Sequence, residues 1–371
     1  MRKLLFYLLI ITLTGYAFHA TAKNLDDSYI AGRMKLQYAQ QFSVDYLAGD
    51  CALISIHESG CFLLVPEGQE PPLHVGEYVT ILRQPIENIY LAATSAMCLF
   101  NVLGALEHIT MSGTKADGWY IENVRAAMEN GAIVYAGKYS APDYELLMAK
   151  NCGLAIESTM IYHTPEVKEK LEDLGIPVLV ERSSYESHPL GRTEWIKLYG
   201  LLLGKDELAR DLFDKQMAYI DDIPAESTGK SAAFFYISSS GKAVVRKSGD
   251  YVAKMIELAG GKYVFADLGS GDDAAGSVNL EMERFYAEAK NADFILYNNS
   301  IDGDICTMGE LLAKSQLIAD FKAVKSGNVW CTGKNLFQET TEFGLMISDM
   351  HRIFTEDLDN SASLHYFDKL R

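Results

Sequence analysis

Residues 154–180 read LAIESTMIYHTPEVKEKLEDLGIPVLV, and this stretch decides the fold class. It begins with the short apolar run Leu154 to Ile156 and ends with the apolar run Val178 to Val180, both of strand length. Between them, Pro165 to Leu174 has the length and composition of a helix. Short apolar strands that alternate with helices indicate α/β layers around a parallel sheet.

The same alternation extends outward and predicts two Rossmann-like lobes with parallel-rich sheets. The N-terminal lobe is predicted over 85–187, and the C-terminal lobe over 223–371, after a polar break at 221–230. Two such lobes leave a cleft between the carboxyl ends of their strands, where open parallel sheets bind ligands. The other predicted strands are Ile89–Ala92, Ile109–Met111, Ala232–Ile237, Phe294–Tyr297 and Val329–Cys331, and the other predicted helices are Met97–Leu106, Ile121–Asn130, Tyr251–Ala259, Met282–Ala289, Leu311–Phe321 and Glu342–Leu358.

Residues 188–222 are predicted to join the lobes as one long helix. Pro189 stands near its start, and apolar residues recur close to helical spacing from Trp195 to Phe213. At 1.5 Å per residue the helix would be about 50 Å long, which is more than one lobe requires. Because its backbone hydrogen bonds would be satisfied internally, we expect it to resist bending and to permit little closure of the lobes.

The N-terminus has the pattern of a secretory signal peptide over residues 1–22. Arg2 and Lys3 precede an apolar run of about ten residues, which is too short for the roughly 20 that a membrane-spanning helix needs. The small residues before position 23 favour cleavage after Ala22. Tyr16 occupies the position that cysteine holds in a lipobox, so no thioether lipid can form there.

Residues 23–84 are predicted to form a small β-rich extension that precedes the first lobe. Glu58-Ser59-Gly60 reads as a turn between the strands Ala52–Ile56 and Phe62–Val65. Residues 66–72 are rich in proline, glycine and glutamine, which indicates a loop.

Composition limits the classes of function. The chain of 371 residues has 49% hydrophobic and 22% charged residues, which is the balance of a globular protein. Its formal net charge of -17 argues against a nucleic-acid partner, since phosphate binding needs a basic surface. We also find no serine-hydrolase elbow, zinc-protease motif or phosphate-binding glycine loop, and therefore expect no catalysis.

Six cysteines are scattered along the chain without the spacing of a metal site. Export would permit disulfides, and Cys51/Cys61 and Cys306/Cys331 are conceivable pairs. Spacing alone does not establish connectivity, and buried free thiols remain the alternative. The other two cysteines are Cys98 and Cys152.

The order of these segments resembles the helix-linked class of ABC substrate-binding proteins (class III), which includes vitamin B12, hydroxamate-siderophore and haem binders. The resemblance covers about residues 85–358. It rests on a strand running into Thr94-Ser95-Ala96, the segment 139–156, the Leu174–Val178 stretch, the helix from Trp195 to Ile220, and Leu258-Ala259-Gly260-Gly261.

The resemblance implies two permease-docking acids, one on the outer lip of each lobe. Glu145 follows Ser140-Ala141-Pro142-Asp143 and matches the family spacing to the next strand. In the second lobe, Glu281 and Glu283 both qualify, and Glu283 is nearer to that spacing. The alternative is that these are ordinary solvated acids, which the N-terminal end of a helix dipole favours.

The resemblance also places ligand contacts in the loops that follow the strands. Aromatic faces with a few cations suit a bulky chelate that carries negative charge. The predicted ligand is therefore an iron-siderophore or similar metal chelate, with no resident cofactor. The predicted contacts are Thr94, Ser95, Trp119, Lys138, Tyr139, Arg182, Tyr236, Arg246 and Lys334.

Three alternatives remain beside the siderophore receptor. A haem or corrinoid receptor of the same importer class would present a similar ligand surface. A Zn or Mn receptor would need three or four converging His and carboxylate ligands, and only His163 and His188 lie in candidate cleft loops. A chelatase-like enzyme has a similar layout, but the signal peptide and the docking acids count against it. We therefore expect an exported, monomeric receptor with no metal site, which delivers its chelate to an ABC permease in the cytoplasmic membrane.

Overall fold

A computed structural model describes residues 30–72, 78–269, 276–301, 305–359 and 363–371. The predicted signal peptide, 1–22, and the Tyr16 position lie outside the described residues. The architecture is mixed α/β, with parallel-rich sheets in each of two lobes.

The N-terminal extension is a five-stranded sheet in the order β1-β2-β3-β4-β5. The predicted hairpin is present: β3 and β4 pair antiparallel around a turn in which Glu58 and Gly60 have positive φ. One face, which includes Ile54 and Phe62, is buried in a hydrophobic core shared with the N-terminal lobe. The strands are β1 (Ile30–Arg33), β2 (Phe42–Leu47), β3 (Ala52–Ile56), β4 (Gly60–Val65) and β5 (Val79–Arg83).

The N-terminal lobe contains a five-stranded parallel sheet in the order β12-β11-β6-β7-β8. The four strands predicted in this lobe are all present. The strands are β6 (Ile89–Leu91), β7 (Ile109–Ser112), β8 (Val134–Tyr135), β11 (Leu154–Ser158) and β12 (Val178–Glu181), and β9 (Gly137–Lys138) and β10 (Ala141–Pro142) form a separate hairpin. The helices are α1 (Met97–Val102), α2 (Glu122–Glu129), α3 (Tyr144–Ala149) and α4 (Pro165–Asp173).

The prediction of one continuous helix over 188–222 is wrong. Three helices occupy the segment, separated at Trp195 and at residues 203–205. Gly204 has a φ of +66°, the left-handed conformation that commonly ends helices, because glycine adopts it without a steric penalty. The helices are α5 (Pro189–Glu194), α6 (Ile196–Leu202) and α7 (Asp206–Asp221).

The C-terminal lobe contains a seven-stranded mixed sheet whose central strands β13, β17 and β18 are parallel. The antiparallel strands β14, β16 and β19 escaped the sequence analysis, and the predicted helix Leu311–Phe321 is interrupted at Ser315. The strands are β13 (Ser231–Ile237), β14 (Ala243–Arg246), β15 (Lys262–Tyr263), β16 (Ser277–Leu280), β17 (Phe294–Tyr297), β18 (Val329–Thr332) and β19 (Phe367–Lys369). The helices are α8 (Tyr251–Leu258), α9 (Met282–Ala289), α10 (Met308–Lys314), α11 (Lys322–Lys325), α12 (Asn335–Gln338) and α13 (Phe343–Thr355).

Helix α7 connects the two lobes by packing on both. On one side α6 folds back against it, and Gly200 leaves no room for a side chain beside Ala209. On the other side α13 approaches closely, with Gly344 against the backbone carbonyl of Gln216. The connection is thus a folded-back helix pair, so the stiffness expected of a single 188–222 helix does not apply.

Two buried carboxylates, Glu186 just before α5 and Glu194 at its end, bind the backbone of the loop between β1 and β2. Glu194 is 0% exposed, and its side chain accepts hydrogen bonds from the backbone N–H groups of residues 37–39. Glu186 accepts from the N–H groups of residues 40 and 41 and from Nε1 of Trp195. Because these acids satisfy backbone donors that would otherwise be buried without partners, the extension is an integral part of the folded chain.

Neither conceivable disulfide forms. In the β3–β4 ladder Cys61 lies opposite Ser55, several residues along the hairpin from Cys51, and both cysteines are free thiols. Cys331 is buried and its Sγ donates to the Asp368 carbonyl at 3.5 Å, whereas Cys306 is exposed, and no disulfide joins the two.

A buried carboxyl group lies in the core of the N-terminal lobe. Glu157 on β11 is 0% exposed, and neither of its carboxyl oxygens has a hydrogen-bond partner in the described part of the chain. Burial raises the pKa of Glu157 to about 8, so the folded protein holds this group protonated at neutral pH.

We expect Glu157 to make the fold less stable as the pH rises. Between the ordinary pKa of 4.5 and the folded value of about 8, the unfolded chain has lost this proton and the folded chain keeps it. The free energy of unfolding should therefore fall by about 1.4 kcal/mol per pH unit in that window. Urea unfolding of wild type and Glu157→Gln across the window measures the effect, and the variant should lack this contribution.

A partly buried group, His188, has the opposite effect on stability, and the comparison of wild type with Glu157→Gln cancels it. Burial lowers the pKa of His188 to about 4 from 6.5, which makes stability rise with pH in that range, equally in both proteins. Parallel stability curves for wild type and Glu157→Gln would contradict the buried, protonated state of Glu157.

Candidate ligand-binding site between the lobes

The lobes meet along a hydrogen-bonded boundary, here called the lobe seam, formed by residues 338–342 of the C-terminal lobe. Gln338 reaches the N-terminal lobe with both ends of its amide: Oε1 accepts from the N–H of Tyr120 at 2.7 Å, and Nε2 donates to the Gly118 carbonyl at 2.8 Å. Oγ1 of Thr193 on α5 donates to the Thr340 carbonyl at 2.9 Å. The seam therefore links the loop at residues 118–120 and helix α5 to the C-terminal lobe.

Two arginines converge on aromatic rings beside this seam. The guanidinium carbon of Arg192 lies 4.2 Å from the ring centroid of Tyr251 and 5.7 Å from that of Phe343. The guanidinium carbon of Arg246 lies 5.9 Å from the Tyr251 ring and 5.6 Å from the ring of Phe337. We call these five residues the arginine cluster.

Local structure explains how each arginine is held. Arg246 ends β14, and the pairing of β13 with β14 puts Tyr236 opposite Val244, on the same sheet face as Arg246. Asp250 caps α8 by accepting from the Val252 N–H, and its carboxylate lies 3.5 Å from the Arg246 guanidinium. Arg192 lies on α5, one residue before the Thr193 contact with the seam.

The cluster has an excess of positive charge. Arg192 is 7% exposed and makes no ion pair within the described part of the chain, and Asp250 is the carboxylate paired with Arg246. Burial raises the pKa of Tyr251, although both guanidiniums act in the opposite direction, so its phenol stays neutral. Desolvated guanidiniums with flanking rings are suited to bind an anionic, planar or bulky group, because charge-assisted hydrogen bonds strengthen where water is excluded.

The structure brings together Tyr236 and Arg246, two of the predicted contacts in the C-terminal lobe. Tyr236 is partly buried and lies on the same sheet face as Arg246. Lys334 is exposed directly before α12, three residues from Phe337. Arg192 was missed by the sequence analysis, since its position within a helical pattern gave no sign that it would face Tyr251.

The predicted contacts of the N-terminal lobe are more dispersed. Thr94 is exposed, and Ser95 Oγ donates to the buried Glu181 carboxylate at 2.8 Å. Lys138 is exposed and Tyr139 is partly buried, both on the β9–β10 hairpin, and no described contact joins them to the arginine cluster.

Two predicted ligand residues have other roles. Trp119 is 2% exposed and packs in the core of the N-terminal lobe, because the turn at residues 116–118 directs its ring inward. Arg182 is 3% exposed, and its guanidinium pairs with Glu58 of the N-terminal sheet at 3.0 Å and stacks on Tyr185 at 4.4 Å. We therefore withdraw both as ligand contacts.

The predicted docking acids lie at exposed first turns. Glu145 is exposed on α3, which is capped by Asp143, whose Oδ1 accepts from the Leu146 N–H. Glu281 precedes α9 and pairs with Lys242 at 2.6 Å. Glu283 is exposed on the first turn of α9.

Two α/β lobes with a candidate site at their junction have the architecture of bilobal solute-binding proteins. A family model described as periplasmic binding protein matches residues 99–336, more than half of the chain, so the chain belongs to that family. Proteins of this family bind small molecules and work with ABC transporters; they are substrate-binding proteins rather than enzymes.

Individual proteins resemble this chain in sequence or in fold. An uncharacterised lipoprotein of Methanocaldococcus jannaschii is 24% identical over 312 residues, which cover 79% of this chain and 71% of the relative. A Saccharomonospora viridis structure titled as an ABC-type Fe3+-hydroxamate transport system has a TM-score of 0.57 at 19% identity, covering 73% of this chain and 94% of that one. The periplasmic haem-binding protein HutB of Vibrio cholerae has a TM-score of 0.56 at 16% identity, covering 71% of this chain and 97% of that one.

Within the described residues, no helix has both the length and the apolar character needed to cross a bilayer.

Proposed function

We propose that the chain is an exported, monomeric receptor of an ABC importer that captures an anionic metal chelate, a ferric siderophore first among them. The arginine cluster carries this proposal. Two guanidiniums with ring partners at the lobe junction are unusual in a chain of net charge -17, and an anionic ligand accounts for their concentration there. The signal-peptide pattern and the lipoprotein relative support export to the periplasm or cell surface.

Native mass spectrometry against a panel of chelates tests the proposal. The panel contains carboxylate, catecholate and hydroxamate ferric siderophores, haem and cobalamin, each with purified mature protein. We expect one ferric siderophore to bind with one-to-one stoichiometry and to outlast the others under collisional activation. Tight binding of haem or cobalamin alone would transfer the proposal to that ligand, and binding of none would reject the chelate receptor.

Delivery to a permease is proposed to depend on the two exposed acids Glu145 and Glu283. Reversing both charges, Glu145→Arg with Glu283→Arg, should abolish uptake in cells while the purified protein keeps its ligand affinity. The reason is that the two acids lie on exposed first turns, with no described contact to the arginine cluster.

A matched control reverses two other exposed acids, Glu129 at the end of α2 and Asp222 after α7. Uptake should persist in this control, because neither acid lies on the proposed docking turns. The total charge change is the same, so a difference in uptake reports the positions of the acids and not the net charge. Retained uptake in the Glu145/Glu283 variant would reject the docking role, and a loss of ligand affinity would show that these acids act at the ligand site.

A further inference from the structure

Three side chains of the types that bind metals meet at the lobe seam, and none of them belongs to the arginine cluster. Nε2 of His365 lies 3.1 Å from Oε2 of Glu339 and 3.3 Å from Oε2 of Glu342. One ligand atom from each residue lies within 4.8 Å of the other two. Glu339 and Glu342 belong to the seam segment, whereas His365 comes from the chain that leads into β19.

The backbone that carries this triad is held by a buried network. Asn335 Nδ2 donates to the His365 carbonyl at 3.1 Å, and Asp349 Oδ2 accepts from the His365 N–H at 2.8 Å. The hydroxyl of Tyr366 donates to the Glu339 carbonyl at 3.0 Å. Because Asn335 and Asp349 are 2% and 3% exposed, the triad stands on a rigid base, which is the arrangement that metal ligands require.

The charges at the triad favour a cation. Two carboxylates face one imidazole, and His365 is the basic side chain that pairs with Glu339 and Glu342 in the described part of the chain. The Oδ1 atom of the buried Asn335 has no hydrogen-bond partner among the described residues.

The distances also fit a metal centre. Zinc bound to imidazole nitrogen and carboxylate oxygen has bonds of about 2.0–2.2 Å, so tetrahedral geometry separates its ligand atoms by about 3.3–3.6 Å. The separations of 3.1 and 3.3 Å from His365 need little adjustment to reach that range. Mixed imidazole and carboxylate ligands suit Zn²⁺, Mn²⁺ and Fe²⁺.

We propose that Glu339, Glu342 and His365 bind a divalent transition-metal ion at the lobe seam, separate from the ligand held by the arginine cluster. Three protein ligands leave a position for water or for a group from the facing lobe. The exposed Tyr120 of that lobe lies close to this segment, since its backbone N–H donates to Gln338, the neighbour of Glu339. A bound ion would stabilise the segment that joins the lobes by mass action, because it binds only the folded arrangement.

Calorimetric titration of Zn²⁺ and Mn²⁺ into chelator-treated, purified protein tests the site. We expect one equivalent of at least one of the two ions to bind, with a rise in the unfolding temperature. Affinity should fall at least tenfold in Glu342→Gln and in His365→Gln, each of which removes one exposed or partly exposed ligand atom.

Two controls separate this site from the rest of the molecule. His163→Gln changes an exposed histidine elsewhere and should bind the ion as wild type does. Arg246→Ala should also keep metal affinity, because Arg246 belongs to the arginine cluster and not to the triad. The metal proposal can therefore be tested even if the chelate proposal fails. Absence of binding, or one-to-one binding that survives both Glu342→Gln and His365→Gln, would overturn the metal site and leave the triad as a hydrogen-bonded cluster.

Discussion

Replacing Arg192 and Arg246 together with alanine is expected to weaken binding of the ferric chelate by at least 100-fold. Each guanidinium offers charge-assisted hydrogen bonds that contribute about 1.5–3 kcal/mol, which corresponds to about tenfold to more than a hundredfold in affinity per residue. Both side chains are positioned by rings, at 4.2 Å for Arg192 on Tyr251 and 5.6 Å for Arg246 on Phe337, so little conformational entropy remains to be lost on binding.

Single substitutions by lysine distinguish charge from geometry. Arg192→Lys keeps the charge but loses the planar fork and the stacking on Tyr251, so we expect an affinity between those of wild type and Arg192→Ala. Tryptophan-fluorescence titration with the chelate that native mass spectrometry identifies measures each affinity.

The control for the arginine cluster is Arg182→Ala. This arginine is more buried than Arg192 and Arg246 but is paired with Glu58 of the N-terminal sheet, so its loss should reduce stability and leave chelate affinity within a few-fold of wild type. Unchanged affinity in the Arg192/Arg246 double variant, with urea unfolding showing it folded, would remove the arginine cluster from the ligand site.

The substitution Glu194→Ala is expected to destabilise the fold by about 3–5 kcal/mol, the usual effect of breaking a buried charge pair. Glu194 is 0% exposed, accepts from three successive backbone N–H groups at residues 37–39, and pairs with Lys197 at 2.6 Å. Removing the carboxylate leaves those donors buried without acceptors and Lys197, 11% exposed, without its counter-charge.

Urea unfolding followed by circular dichroism measures this loss. Glu194→Gln should lower the free energy of unfolding by less than Glu194→Ala, because its amide oxygen still accepts a hydrogen bond. The remaining loss reflects the missing charge opposite Lys197. Glu169→Ala on α4 is the matched control, since its exposed side chain should contribute within about 0.5 kcal/mol. A loss below about 1 kcal/mol in Glu194→Ala would mean that the N-terminal sheet is held without this carboxylate.

Elements whose signals lie within a few neighbouring residues could be predicted from the sequence. The strands Leu154–Ser158 and Val178–Glu181 and the helix Pro165–Asp173 lie where the 154–180 stretch indicates, because apolar runs and a helical segment are local properties. The β3–β4 hairpin followed equally from its turn residues. The order of these segments along the chain was also sufficient to indicate the two-lobed family.

The connecting segment shows where a local pattern fails. Its apolar spacing continues across Gly204, so the pattern alone indicated one helix, although a glycine followed by Lys205 and Asp206 is also a stop-and-start signal. The fold-back became visible only through the contact of Gly200 with Ala209, which joins two helices that the sequence pattern had merged.

The sequence by itself determined the fold class, the number of lobes and the excess of negative charge, since these depend on composition and on the order of short patterns. Only the tertiary structure decided that Arg182 forms an ion pair with Glu58. It also decided that Arg192 stacks on Tyr251, and that His365 lies beside Glu339 and Glu342. The physical reason is that burial and ion pairing depend on which distant segments pack together. Side-chain chemistry that arises from such contacts leaves no periodic trace in the chain.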